Sequence, residues 1–146
     1  MVLGMKEGVI YNTMGGIVVA GITYLFGVWD QTLQILFLMI VIDYITGIVG
    51  AGMKGELSSK IGFKGIIKKV AIMIVVVIAV QLDKVMGQVN IFRYLVCFFY
   101  IANEGISILE NFSKMGVPLP KFMVNLLKVM KDQADEGKVI TGKDVM

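Results

Sequence analysis

Residues 9–29 contain no charged side chain, and no other feature constrains the fold of this chain more tightly. Coiled as a helix, a run of about 20 residues is about 30 Å long, the thickness of a bilayer's hydrocarbon core. Three further apolar segments follow. Residues 32–53 are interrupted only by Asp43, and residues 91–109 carry Arg93 near their start and Glu104 inside. The third segment, residues 66–82, has a bare core from Val70 onward. It reaches spanning length only if Ile66 and Ile67 join it and Lys68 and Lys69 snorkel to the membrane interface. A soluble domain averages about a quarter charged residues; here 17% are charged and 57% hydrophobic, with the excess gathered in these four runs. The fold class expected is an all-α integral membrane protein. A cleaved signal is the competing reading of the first run, but Glu7 cancels Lys6 and no small-x-small cleavage site follows.

Charge placement orients the segments. The turn Asp30-Gln31 holds no lysine or arginine, and residues 83–90 hold only Lys84. Lys54, Lys60, Lys64, Lys68 and Lys69 crowd the middle connection, and Lys114, Lys121, Lys128, Lys131, Lys138 and Lys143 the tail. The positive-inside rule places connection and tail in the cytoplasm and both short turns outside. Four transmembrane helices with both termini cytoplasmic satisfy every loop. Three remain possible, with segments one and two as a hairpin that does not span, because so little polar sequence joins them. Residues 1–116 thus form one transmembrane domain, and residues 117–146 an amphipathic cytoplasmic helix with a flexible end beyond Gly137. In that helix Phe122, Met123, Leu126, Leu127 and Met130 share one side, opposite Lys121, Asn125, Lys128, Asp132 and Asp135. It is expected either to lie in the cytoplasmic interface, with Lys121 and Lys128 toward headgroups, or to pack on a neighbouring subunit.

Several function classes drop out. The chain has no histidine and one cysteine, Cys97, which disfavours metal sites, histidine acid–base chemistry and an intrachain disulfide. No enzyme, metal or cofactor is expected. The net charge of +3 comes from lysines that flank apolar runs, which suits a bilayer and not a nucleic acid.

The informative residues are polar ones inside the spans. An aspartate at a helix centre costs roughly 2.5–3.5 kcal/mol on insertion scales, so it faces protein or water. Asp43 and Glu104 lie at similar depth and cannot comfortably both be ionised and dry. Either one is protonated, or they face a wet cavity or a basic partner. Arg93, Cys97, Tyr100, Glu104, Ser107 and Asn111 recur every three or four residues along one helical stripe. Asp43, Thr46, Gly47 and Gly50 form a second stripe; Asn12, Gly16, Ala20, Thr23 and Gly27 form a third of small and polar residues. Two readings stay open. These faces pack helices together within or between subunits, or they line a water-filled opening once several copies assemble, since one chain is too small for a sizeable pore. Trp29 suits an anchor at the outer interface. Ser58 and Ser59 precede Lys60 as a helix cap, and Cys97 reads as a small buried hydrophobe.

Taken in order, several short motifs resemble a known family. They are Asp43-Tyr44-Ile45-Thr46-Gly47, Gly55-Glu56-Leu57-Ser58-Ser59, Gly62-Phe63-Lys64-Gly65-Ile66-Ile67-Lys68-Lys69, Phe99-Tyr100-Ile101-Ala102-Asn103-Glu104, Ser107-Ile108-Leu109-Glu110-Asn111 and Gly116-Val117-Pro118-Leu119-Pro120. Across about residues 10 to 130 the series resembles the bacteriophage holin family that includes the clostridial toxin-secretion holins. The resemblance implies a small phage- or prophage-encoded protein of the bacterial cytoplasmic membrane. It would oligomerise with itself at a set time and open lesions that release an endolysin or a large toxin. It does not separate a holin from a non-conducting antiholin or scaffold. Asp43 or Glu104 alone would also suit a small proton-coupled transporter.

Overall fold

The computed structural model describes residues 2–137; the lysines at 138 and 143 and the expected flexible end lie outside the described residues. Side chains before Thr13, including Asn12, lie outside them too. The described chain is entirely helical: α1 (Val2–Phe26), α2 (Gln31–Met53), α3 (Ser59–Val85), α4 (Ile91–Lys114) and α5 (Lys121–Asp135). Among the described residues, α2, α3 and α4 are long and apolar enough to cross a membrane, while the apolar stretch Thr13–Phe26 of α1 is shorter.

Local chemistry sets most helix ends. Asp30 caps α2 by accepting a bond from the Leu33 amide at 3.0 Å. Ser58 does the same for α3, its Oγ accepting from the Ile61 amide at 3.3 Å. That cap starts α3 seven residues before the expected segment, so the lysine-bearing turn is helical. Helix α1 stops three residues short of Trp29, because Gly27 adopts a φ of 76°. Helix α4 starts at Asn90 in the left-handed region, with no cap from its own side chain. Instead the carboxylate of Asp83, at the end of α3, accepts from the amides of Phe92 at 3.0 Å and Arg93 at 2.9 Å. This satisfies the orphan donors of α4 across a turn.

The apolar core lies between α2, α3 and α4: Leu33, Leu36 and Ile40 meet Ile72 and Val76, with Cys97 and Ile101 opposite. Successive helices run antiparallel, so α2, α3 and α4 share a lysine-rich end and an opposite end bearing the two tight turns. Helix α1 packs only against α3 among the described helices, and Ile17 and Val19 stay 68% and 63% exposed.

Helix α5 packs on its own chain, an arrangement beside the two that the sequence left open. It turns back at Gly116 and lies antiparallel along α4. Its apolar side finds a seat at Gly105, where an added Cβ would meet Leu127 Cδ1 at 3.0 Å and Met39 Cε at 3.1 Å. A side chain at residue 105 would require Leu127 of α5 and Met39 of α2 to give by a few tenths of an ångström.

Candidate functional site

Asp43, Lys69 and Glu104 sit on three different helices, each ten residues from the lysine-rich end. At 1.5 Å per residue that places all three about 15 Å along their helices from that end. Lys69 Nζ donates to Asp43 Oδ2 and to Glu104 Oε2, forming one ion-pair cluster that ties α2, α3 and α4 together. Glu104 is 3% exposed and Asp43 8%. The expectation that Lys69 snorkels to the membrane interface is therefore replaced. Its ammonium points inward, because two buried carboxylates at its own depth attract it more strongly than a distant headgroup layer. Of the solutions open to two like-depth acids, the fold uses the basic partner.

Asn111 of the α4 stripe and Thr46 of the α2 stripe complete this network. Asn111 Nδ2 donates to Asp43 Oδ1 at 3.1 Å and to Thr46 Oγ1 at 3.1 Å. Thr46 Oγ1 in turn donates to the Ile42 carbonyl at 2.9 Å. Gly47 leaves room for Asn111, whose Nδ2 would lie 3.6 Å from a Cβ there, and Gly50 faces Met115. A cavity of about 210 Å³ adjoins the cluster, lined in part by Asp43, Tyr44, Lys68, Lys69, Ser107 and Asn111. Tyr44 lies over Gly62 and Gly65 of α3, where an added Cβ at Gly65 would come within 3.2 Å of its ring. Those glycines let α2 approach α3 closely enough for Lys69 to reach Asp43.

Arg93 belongs to a separate cluster at the opposite end. Its side chain is fully buried and donates to Asp30 Oδ2 at 2.9 Å, Asp30 Oδ1 at 2.8 Å and the Val28 carbonyl at 2.8 Å. Tyr94 donates to the same carboxylate at 3.3 Å. Gly27 lies over the guanidinium, where an added Cβ would make ordinary van der Waals contact with Nε at 3.5 Å. Burial opposes ionisation of Asp30, yet the Arg93 and Leu33 hydrogen bonds outweigh it and hold its carboxyl below the usual carboxylate range. Arg93 thus fastens the α1–α2 turn to α4 and takes no part in the deep cluster.

The remaining candidates are scattered. Tyr100 packs at the core edge, its ring against Phe99 at 5.2 Å. Trp29 is about half exposed and meets Phe37 edge-on at 6.1 Å. Lys68 is exposed at the cavity rim, and Lys121 and Lys128 are exposed on α5. Sequence reasoning passes over Lys69 as a partner, Asp30 and Asp83. Asp43, Lys69 and Glu104 are equally far from their helix ends only once the structure gives those ends, because the apolar runs alone start α3 at residue 66 and stop α4 at residue 109. Among the described residues no group of histidine, cysteine and acidic side chains could hold a metal ion.

Comparison with known proteins places this arrangement. The profile of the bacteriophage holin family matches residues 20–132, which includes every residue of both clusters. An uncharacterized protein of Listeria monocytogenes is 48% identical over 84% of this chain and 87% of its own. An uncharacterized Clostridium perfringens protein from the nagH 3′ region is 42% identical over 87% of this chain and 98% of its own. A protein of Bacillus phage phi105 named "Probable holin" is 34% identical, covering 77% of this chain and 83% of its own. No solved structure matches. With spanning-length apolar helices and a family match that runs from within α1 into α5, this membrane protein belongs to the bacteriophage holin family.

Proposed function

We propose that the chain acts as a holin in the bacterial cytoplasmic membrane. Copies accumulate, associate with one another and open lesions through which an endolysin or a large toxin leaves the cell. The observation that carries this reading is the Asp43–Lys69–Glu104 cluster with Asn111 and Thr46. A spanning bundle with a charged centre is held by polar contacts whose balance shifts when neighbours bring competing donors or water. Each copy is therefore a stable insertion unit whose interior responds to crowding. The name of the phi105 relative supports the same role.

The test is lysis timing in a bacterium that also makes a cytosolic endolysin without its own export signal. Asp43→Asn and Glu104→Gln each change the net charge of the cluster by one. Each is expected to shift the onset of lysis at least two-fold while the amount of inserted protein stays level. Unchanged onset in both variants at equal protein would remove the cluster from the mechanism. The cavity beside Asp43 and Lys69 favours a second reading, a small proton-coupled transporter. That reading requires substrate-specific, proton-driven uptake by the purified protein, where a holin leaks without selectivity.

A further inference from the structure

A second cavity lies at the lysine-rich end, where α2 and α4 finish side by side. It holds about 200 Å³ and is lined by Lys54, Glu56 and Lys114, with Gly47, Gly50 and Asn111 beneath them. Lys54 caps α2, and Lys114 is the last residue of α4. The absence of a side chain at residue 50 makes part of the space, since an added Cβ there would meet only Met115 Cγ, at 3.9 Å. Among the described residues, the side chains of Lys54, Glu56 and Lys114 make no ion pair or hydrogen bond. Asn111 spends its amide nitrogen on Asp43 and Thr46, and its amide oxygen accepts no bond among those residues.

Two ammonium groups and one carboxylate leave this cavity a net positive charge, which complements a guest with a single negative one. Lysine ammonium groups donate to phosphate oxygens, while Glu56 and the Asn111 amide oxygen can accept from hydroxyls. The excess of lysines sets this end at the cytoplasmic headgroup layer. A guest of that chemistry at that level is a phospholipid whose singly charged phosphodiester carries a hydroxylated head. We propose that the cavity binds the headgroup of an inner-leaflet phosphatidylglycerol. Its phosphate lies between Lys54 and Lys114, and its glycerol hydroxyls turn toward Glu56 and Asn111. A zwitterionic head brings its own cation to the two lysines and is held less well. Because Asn111 also holds Asp43 and Thr46, lipid bound here braces the pairing of α2 with α4. The inference is independent of the holin reading, since it concerns a lipid held by one copy.

The test is native mass spectrometry of the full-length protein from micelles doped equally with phosphatidylglycerol, phosphatidylethanolamine or phosphatidylcholine. One phosphatidylglycerol per chain is expected to be retained at least about five-fold above either zwitterionic lipid. Lys54→Gln with Lys114→Gln should lower that preference to less than about two-fold. Gly50→Val should lower it equally by filling the cavity without changing its charge. Lys60→Gln with Lys64→Gln removes two exposed lysines of α3 outside the cavity and should leave the preference intact. Equal retention of the three lipids overturns the proposal, as does an equal loss in the Lys60 and Lys64 variant, which would mean diffuse surface charge. An unchanged preference without Lys54 and Lys114 would leave them as mere complements to their helix C-termini, and an unchanged preference in Gly50→Val would place the lipid elsewhere. Displacement of the lipid by an equal concentration of soluble glycerophosphoglycerol would assign the cavity to a free phosphodiester and overturn its assignment to a lipid.

Discussion

Arg93 and Lys69 each bring a cation to carboxylates, Arg93 to the partly buried Asp30 and Lys69 to the buried Asp43 and Glu104. At Arg93 the partner is Asp30, whose depressed pKa gives a definite pH dependence. The unfolded carboxyl titrates near 3.8 and the folded one lower. Its contribution to stability is therefore complete above about pH 5 and is lost as pH falls through the folded value. Unfolding of the detergent-solubilised protein should show a constant gap between the native chain and Asp30→Asn from pH 7 to about 5, closing only below about pH 4. Arg93→Ala is expected to cost about 3 kcal/mol in the same assay, because it strands a partly buried carboxylate. A gap that closes between pH 7 and 5 would mean that Asp30 is not held ionised by Arg93.

Among the helices, α2 and α3 depend on a glycine seat. Gly65→Leu drives a side chain into the Tyr44 ring and is expected to destabilise by about 1–3 kcal/mol. Adding Tyr44→Ala to that variant should recover part of the loss, whereas a purely local helix effect at residue 65 would leave it unchanged. The limits of α2 follow closely from its apolar run, and the start of α5 from Pro118 and Pro120 just before it. The start of α3 is obscured by lysines, which hydropathy counts as loop although Ser58 begins a helix there. The α4 cap is hidden more deeply. Its acceptor, Asp83, stands on the preceding helix, and capping rules read only the residues next to the helix start. The packing of α5 on α4 is also beyond reach, since an amphipathic helix carries no mark of which apolar surface it meets.

Taken as a whole, the molecule joins three helices through one interior cation. Lys69→Met leaves two acids buried without a cation and is expected to cost about 3–5 kcal/mol. Combining it with Asp43→Asn and Glu104→Gln should restore much of that stability, a non-additive result measurable by thermal unfolding in detergent. Additive losses would show that the three residues act independently. Both acids stand out in the sequence by their cost in a span; their joint partner does not, because lysines near an interface are ordinarily counted as headgroup anchors. The matched position of the three residues also limits how a chain of this kind can change length. One residue inserted between Asp43 and Met53, Ser59 and Lys69, or Glu104 and Lys114 turns one member of the cluster by about 100° and moves it about 1.5 Å relative to the helix end. Insertions and deletions outside these three intervals leave the three positions matched, but inside them the chain has a fixed gauge.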